Sequence, residues 1–189
     1  MGEIQMKPLN IRFCGFGGQG IILSAVILGT AVVIKRGLYA VQTQSYGSEA
    51  RGGECQSELI ISNKPINSPT TEKKDILVAM FQTALEKYLP TLRAKGKLII
   101  DSKLIKKIPP TKAIVYKVPA TETAIKLGNR IAANMVILGF IQHASGLITR
   151  NDLIEVVSDF VPEEYLNLNL RAIDAGIEFA KEISFIMEK

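Results

Sequence analysis

The chain has 189 residues, the size of one typical domain, and a formal net charge of +5 at pH 7. Apolar residues make up 47% of it and charged residues 22%, a balance that excludes a disordered or collagen-like protein. With only Cys14, Cys55 and one histidine, the chain alone has too few ligands for a zinc site or a four-cysteine iron–sulfur cluster, and a reducing, cytoplasmic setting fits it best.

The positive charge is not concentrated on one predicted element. Its densest groups, Lys73 with Lys74 and the trio Lys103, Lys106 and Lys107, fall in separate loops without interleaved aromatic residues. This pattern argues against nucleic-acid binding and agrees at least as well with a surface for an acidic partner, such as an electron carrier. The longest apolar stretch is too short to span a membrane, and the polar start of the chain predicts no secretory signal.

Glycines separate the first predicted elements. Residues 10–14 form a β-prone run that stops at a glycine-rich loop, and the apolar stretch 21–34 after it predicts a buried helix. Gly37 ends that helix, and residues 38–43 predict the second strand. A polar, glycine-containing loop at 44–54 follows.

The later elements continue the alternation of strands and helices after a predicted hairpin. Residues 56–62 form the first arm of this hairpin, with a turn at 63–65 and a short return through Ile66. Further strands are predicted at 75–80, 97–101 and 114–118. Helices are predicted at 82–94 with a kink or restart at Pro90, from a cap at Thr121 to about Ser145, at 149–160 and from 163 to about 187.

This order of elements predicts an α/β protein. Continuous apolar strands alternating with helices favour a Rossmann-like three-layer fold with a mostly parallel sheet, a β-hairpin and a C-terminal helical extension. No repeat or low-complexity stretch interrupts the chain, so residues 1–189 are expected to form a single domain. Its core is predicted to cover about 10–145, and the C-terminal helices 149–187.

Residues 15–20 read G-F-G-G-Q-G, a G-x-G-x-x-G loop placed between a strand and a helix. Glycines allow a sharp turn there and let an anion approach the N–H groups at the positive end of the helix. A classical dinucleotide site also needs an acidic residue at the end of the second strand, but the first one after Gly20 is Glu49. Three interpretations stay open: close packing alone, an anion such as a phosphate or carboxylate, or contact with a partner chain.

A second glycine-containing loop, residues 45–53, combines an aromatic, a carboxylate and a guanidinium group in Tyr46, Glu49 and Arg51. It follows the second strand, at the sheet edge where ligands dock in open α/β folds. Arg51 offers a two-pronged donor for a carboxylate or phosphate. The alternative is an internal ion pair between Glu49 and Arg51 on a solvated loop.

A polar group on the predicted long helix is the third candidate feature. Arg130 and Asn134, beside Asn129, stand four positions apart and are expected to share a face. They indicate either a buried polar seam or subunit contact, or polar groups satisfied internally by a neighbouring loop. His143 is interpreted as a partner of the helix C-terminal dipole. Without a second histidine, a nucleophile elbow or an acidic metal cluster, no catalytic residue and no metal site are predicted.

The two loops together, C-G-F-G-G-Q-G at 14–20 and Q-S-Y-G-S-E-A-R-G-G at 44–53, resemble the gamma subunit of 2-oxoacid:ferredoxin oxidoreductases. The resemblance covers most of residues 10–145, and its details are most similar to the 2-oxoglutarate branch. It continues through I-I-S at 60–62, D-I-L-V-A at 75–79, P-A-T-E at 119–122 and G-N-R-I-A-A-N-M-V at 128–136.

The resemblance implies a chain that works in a complex with alpha, beta and ferredoxin-like delta subunits and is inactive alone, where it could form a homodimer. Thiamine diphosphate and magnesium would lie between the alpha and beta subunits, and iron–sulfur clusters in the beta or small subunit. The implied reaction is oxidative decarboxylation of 2-oxoglutarate with coenzyme A to succinyl-CoA, reducing ferredoxin, or its reverse. Pyruvate, indolepyruvate and branched-chain 2-oxoacids are alternative substrates. A non-catalytic assembly scaffold and a free-standing nucleotide-binding oxidoreductase are alternatives of other classes.

The resemblance also suggests which residues contact coenzyme A or a neighbouring subunit. The candidates are Gly15, Gly17, Gly18, Gln19, Gly20, Ser45, Tyr46, Glu49, Arg51, Gly52, Gly53, Asn129 and Asn134.

Overall fold

The computed structural model describes residues 7–47 and 53–187, and side chains as far as residue 183. The strands are β1 (Leu9–Phe16), β2 (Tyr39–Tyr46), β3 (Glu54–Ser62), β4 (Lys74–Ala79), β5 (Leu92–Asp101) and β6 (Ile114–Val118). The helices are α1 (Ile21–Arg36), α2 (Gln82–Tyr88), α3 (Ala120–Leu127), α4 (Ala133–Ser145), α5 (Arg150–Phe160) and α6 (Glu163–Met187). Within these ranges no helix is long and apolar enough to cross a membrane.

The six strands form one sheet in the order β2-β3-β1-β4-β5-β6. β3 runs antiparallel to both of its neighbours, and the pairs from β1 to β6 are parallel. Side chains alternate between the two faces of a strand, so Ile11 and Phe13 join a core with α1, α4, α5 and α6, while Cys14 joins a smaller core with α2. The predicted three-layer α/β fold with a mostly parallel sheet is confirmed.

The hairpin lies one connection earlier than predicted. β2 and β3 are its arms, with Tyr46 opposite Cys55, whereas residues 63–66 form no strand. β3 already pairs with β2 on one side and β1 on the other, so a chain returning beyond Ser62 finds no free edge. Pro65 also lacks the N–H donor that a ladder requires.

Two predicted helices are shorter than the sequence suggests. The helix predicted at 82–94 ends at Tyr88, a 3-10 turn at Leu89–Thr91 takes up Pro90, and β5 then begins. The helix predicted from Thr121 to Ser145 is divided into α3 and α4. The division falls at Gly128, whose φ of +123° few residues other than glycine adopt, and at a second 3-10 turn, Arg130–Ala132.

Thr121 is not a helix cap, contrary to expectation. α3 begins directly after Pro119, and the Thr121 N–H and hydroxyl both donate to the carboxylate of Asp101 at the end of β5. Asp101 is completely buried and also accepts from the N–H of Lys103. The carboxylate therefore joins β5 to the start of α3, which an isolated reading of residue 121 did not reveal.

α4 and α6 cross at two glycines. A Cβ on Gly139 would lie 2.0 Å from the carbonyl oxygen of Ile173, and a Cβ on Gly176 would lie 2.0 Å from that of Val136. Real Cβ atoms do not approach backbone so closely, so the crossing requires glycine on both helices. α6 thereby packs directly on α4, and through it on the main core.

A charged group is buried under α2. The Glu58 carboxylate on β3 accepts from the Arg12 guanidinium on β1 and, at 2.6 Å, from the Lys74 ammonium at the start of β4. Lys74 is 1% exposed, and Arg12 also donates to Thr91 at 2.9 Å and lies over the ring of Tyr88. The single negative charge of Glu58 thus offsets one of the two buried positive charges. Its contacts also join the adjacent strands β3, β1 and β4.

Candidate functional site

The first glycine loop lies at the carboxyl end of β1 and opens α1. Gly18 and Gly20 have φ values of +85° and +69°, in the left-handed region that favours glycine. Gly20 is the N-cap of α1, no side chain caps the helix, and its first turn contains no acidic residue. The first-turn N–H groups therefore face outward without a side-chain acceptor, an arrangement that suits an anion or a carbonyl group.

Gln19 holds this loop in place through its side chain. Its Oε1 accepts from the N–H of Phe16 at 2.7 Å, and its Nε2 donates to the carbonyl of Met80 at 2.8 Å, just beyond β4. Met80 in turn donates its N–H to the carbonyl of Cys14. The carboxamide of this candidate residue is therefore used within the protein, where it positions the loop.

Replacing Gln19 by leucine should destabilise the protein by about 1–3 kcal/mol, because the Phe16 N–H and the Met80 carbonyl would lose their partner. Urea unfolding of the purified chain measures this loss. Gln44→Leu on the exposed part of β2 is a matched control. Equal stability of the two variants would contradict a structural role for Gln19.

The second glycine-containing loop meets the first. The N–H of Gly17 donates to the carbonyl of Gly53 at 2.9 Å, and the N–H of Gly47 donates to the carbonyl of Glu54 at 2.7 Å. Ser45 and Tyr46 lie at the end of β2 and are exposed. Because β2 and β3 form a hairpin, Gly47 and Gly53, the described ends of the connection, lie at the same sheet edge as residues 15–20. The candidates Glu49, Arg51 and Gly52 lie outside the described residues.

Asn134 connects α4 to the first loop. It is 3% exposed, and its Nδ2 lies 3.4 Å from the carbonyl oxygen of Gly20. The expectation that it shares a helix face with Arg130 is wrong, since Arg130 belongs to the 3-10 turn before α4 and is exposed. Asn129 caps that turn by accepting from the N–H of Ile131 at 3.1 Å.

A cleft of about 650 Å³ opens beside the first loop, outside the carboxyl ends of β1, β4 and β5. After β1 the chain builds β2 and β3 on one side of that strand and then β4 on its other side. This carboxyl-edge cleft lies at that switch point, the usual ligand position in open α/β sheets. Gly17, Gly18, Gln19, Asn129 and Arg130 line it. In the part of the chain that the structure describes, Arg130 has no carboxylate partner, so its guanidinium is available to an anion.

A second cavity of about 390 Å³ lies on the other side of the same glycines. This apolar cavity is bounded by α1, the β2–β3 hairpin, α4 and the start of α6. Its large side chains include Tyr46, Ile131, Phe160 and Tyr165, and its polar ones Asn134 and Asn169. Sequence reasoning missed Phe160, Tyr165 and Asn169. Asn169 had one usable signal, an amide within the apolar stripe formed by Leu166 and Ile173.

Neither cysteine is an activated thiolate. Burial raises the pKa of the Cys14 thiol well above its ordinary value, and burial also raises that of Cys55, which borders the apolar cavity. They occupy opposite faces of the sheet, because Cys55 pairs with Gly15 and Cys14 with Gln56. Over residues 7–47 and 53–187, no group of three or more His, Cys, Asp or Glu side chains could hold a metal ion.

Residues 10–179 match the family described as pyruvate ferredoxin/flavodoxin oxidoreductase. The 2-oxoglutarate synthase subunit KorC of Methanocaldococcus jannaschii is 42% identical over 186 residues, 96% of this chain and 98% of that protein. The gamma subunit of a keto/oxoacid ferredoxin oxidoreductase from Geobacter sulfurreducens superposes with a TM-score of 0.82 at 39% identity, over 92% of this chain and 99% of that one. A 2-oxoglutarate:ferredoxin oxidoreductase from Magnetococcus marinus, solved with 2-oxoglutarate, coenzyme A and succinyl-CoA bound, superposes with a TM-score of 0.85 at 28% identity, over 94% of this chain and 32% of that one.

Proposed function

The chain belongs to the pyruvate ferredoxin/flavodoxin oxidoreductase family, and we propose that it works as the gamma subunit of a 2-oxoglutarate:ferredoxin oxidoreductase. The complex would oxidatively decarboxylate 2-oxoglutarate with coenzyme A to succinyl-CoA and reduce ferredoxin, or run in reverse. The observation that carries this proposal is the 42% identity to a 2-oxoglutarate synthase subunit over nearly the full length of both chains.

The redox and thiamine chemistry is assigned to partner subunits in this proposal. The described residues offer no metal-binding cluster, and both thiols are buried, so they do not fit a magnesium–thiamine diphosphate site or an iron–sulfur cluster. Alpha, beta and delta subunits would supply these groups and the contact with ferredoxin. We further propose a cytoplasmic location, which two free cysteines support, and a single domain, which the packing of α6 on α4 supports.

The residues of this chain fit a role in holding coenzyme A, whose thiol accepts the acyl group in the reaction. The outward N–H groups of α1 and the unpaired guanidinium of Arg130 suit phosphate oxygens. The sequence has a second arginine, Arg51, between β2 and β3, and we propose that it contributes a further guanidinium. In this role the chain binds and orients its substrate, and the bond-making steps take place in the partner subunits.

Anaerobic purification of the tagged protein from its native host tests the complex and its substrate together. We expect large thiamine- and iron–sulfur-containing subunits to co-purify, and viologen reduction that depends on coenzyme A and is fastest with 2-oxoglutarate. Faster reduction with pyruvate, indolepyruvate or a branched-chain 2-oxoacid would overturn the substrate assignment. Recovery of the chain alone, with a bound nicotinamide cofactor, would overturn the function.

Replacing Arg51 or Arg130 by alanine is expected to raise the KM for coenzyme A roughly tenfold to a hundredfold, the effect of losing one charge-assisted contact. Steady-state kinetics of the intact complex measure it. Arg171→Ala, an exposed arginine on α6 outside both cavities, is the control. A KM that stays constant in both variants would refute anion binding here, and loss of subunit assembly with an unchanged KM would favour the scaffold alternative.

A further inference from the structure

The amino edge of the sheet, opposite the candidate site, is basic. Parallel strands begin at the same edge, so β1, β4, β5 and β6 bring together lysines that lie far apart in the sequence. Two clefts of about 660 and 420 Å³ lie along this edge and share Arg93, and together they form the amino-edge groove. The basic residues that line the groove are Lys7, Lys73, Arg93, Lys95, Lys97 and Lys112.

Most of these cations have no anionic partner. Arg93 forms an ion pair with Asp75 at 2.7 Å, whereas none of the five lysines forms an ion pair with a described residue. Lys73 donates only to a main-chain carbonyl, that of Pro90, at 3.0 Å. Besides Asp75, Glu86 is the other acidic residue lining the groove in the described part of the chain. Six basic and two acidic side chains give the groove a formal charge of +4 at neutral pH.

The composition of the groove favours a transient partner over a permanent one. Lys7, Lys73, Lys95 and Lys112 are exposed, and lysine is depleted at the centres of stable protein interfaces. Among the described residues, none of the large apolar side chains that are exposed lines either cleft. Permanent interfaces are more apolar, whereas electron-transfer contacts are small and are steered by charge. The groove therefore suits an acidic protein that binds and leaves.

The same composition argues against nucleic acid as the partner. Sites for nucleic acid typically combine arginine forks for phosphates with aromatic faces on which bases stack. The one arginine of the groove is already paired with Asp75, and no aromatic side chain of the described residues lines it. Its walls include Leu89, Pro90 and Pro110, which suit the apolar atoms of a folded protein surface.

We propose that the amino-edge groove docks an acidic electron-carrier protein, the ferredoxin that the complex reduces. The proposal rests on the function inferred above and adds the surface that holds the carrier. The described residues of this chain offer no metal-binding cluster, so the chain attracts and orients the carrier and leaves electron transfer to partner subunits. The carboxyl-edge cleft lies at the opposite edge of the sheet, so it stays open while the carrier is bound.

The test uses the intact, anaerobically purified complex with Lys95→Glu and Lys112→Glu combined, one exposed lysine from each cleft. We expect the KM for the host's ferredoxin to rise about tenfold at low salt, the lower end of the effect of charge steering on association. The kcat with ferredoxin and the rate of viologen reduction should not change, because a small dye needs no protein docking surface. Added salt should bring the KM of the parent complex toward that of the variant.

Lys106→Glu combined with Lys107→Glu is the matched control. These two lysines are also exposed, but they follow the carboxyl end of β5 and lie outside the groove. The control changes the net charge by the same amount and should leave the KM for ferredoxin unchanged. An unchanged KM in the groove variant, or an equal rise in the control, would overturn the proposal.

The other occupants give different results. Loss of a subunit from the groove variant alone would show a permanent interface and overturn carrier docking. Binding of double-stranded DNA that the variant abolishes, with the KM for ferredoxin unchanged, would assign the groove to nucleic acid. Lys95→Gln combined with Lys112→Gln is a milder second variant that should raise the KM for ferredoxin by a smaller factor.

Calorimetric titration of the complex with oxidised ferredoxin needs no turnover and separates the two proposals. Binding that is weaker in the groove variant, in a complex inactive with 2-oxoglutarate, would refute the proposed reaction and retain the docking surface. A complex that reduces viologen with 2-oxoglutarate, but binds ferredoxin equally well in parent and variant, would retain the reaction and refute the docking surface.

Discussion

Replacing Gly139 by alanine is expected to destabilise the protein by about 3 kcal/mol, the upper part of the range for overpacked cores. The added methyl group would lie 2.0 Å from the carbonyl oxygen of Ile173, and both atoms are bonded directly to helix backbones that cannot move independently. α6 would have to move away from α4. Thermal unfolding should show a midpoint lower by about 6–12 °C for a protein of this size.

Gly29→Ala is the control for this prediction. Gly29 also lies inside a helix, but a Cβ there would meet only side-chain atoms, the terminal Cδ1 of Leu59 at 3.1 Å and the Cβ of Ala40 at 4.0 Å. Alanine favours the helix over glycine by up to about 1 kcal/mol, so this variant should be as stable as the parent or more stable. Similar losses in both variants would show that the close helix crossing does not determine the outcome.

The second large effect concerns Glu58. Its replacement by glutamine should cost about 3–5 kcal/mol, because Arg12 and Lys74 would stay buried without the negative charge that they share. Urea unfolding at neutral pH gives this value. Glu122→Gln, which breaks an exposed pair with Lys126 on α3, is the control and should leave stability nearly unchanged. Unaltered stability of the Glu58 variant would show that the two cations are well solvated.

The same group predicts a loss of stability in acid. Burial alone would raise the pKa of Glu58, but hydrogen bonds from Lys74 and Arg12 outweigh it and lower that pKa below the ordinary 4.5. A carboxylate whose pKa is depressed by folding contributes its full stability above the unfolded value. That contribution is lost as the pH falls below about 4.5 and through the lower folded pKa. The acid limb of the stability profile should therefore be shallower in Glu58→Gln.

Local signals explain which elements the sequence predicted well. α1 has a glycine at each end and an apolar interior, and Gly37 has the left-handed φ that helix C-termini favour. Thr149 and Asp152 form a reciprocal cap that begins α5 near its predicted position. The predictions that failed concern residues whose contact partners lie far away in the sequence. Thr121 resembles a cap until Asp101, twenty residues earlier, is placed beside it.

The residues of the candidate site also divide into those with a local sequence signal and those without one. Both glycine loops could be found from their composition, and Asn134 from its place in an apolar run. The expected shared helix face of Arg130 and Asn134 was wrong because the helix is interrupted at Gly128 and Arg130 lies in a 3-10 turn outside α4. Phe160, Tyr165 and Asn169 could not be assigned to the site from their own neighbourhood. Their role depends on the glycine crossing that brings α6 back to α4.

The wide sequence separation of the cavity walls has a consequence for biosynthesis. Gly17 and Asn169 are 152 positions apart, so Asn169 is added roughly eight to thirty seconds after Gly17 at ordinary elongation rates. A nascent chain on the ribosome therefore carries both glycine loops long before it can enclose the space beside them. A product cut before α6 would keep the family's recognisable motifs and lack one wall of the cavity.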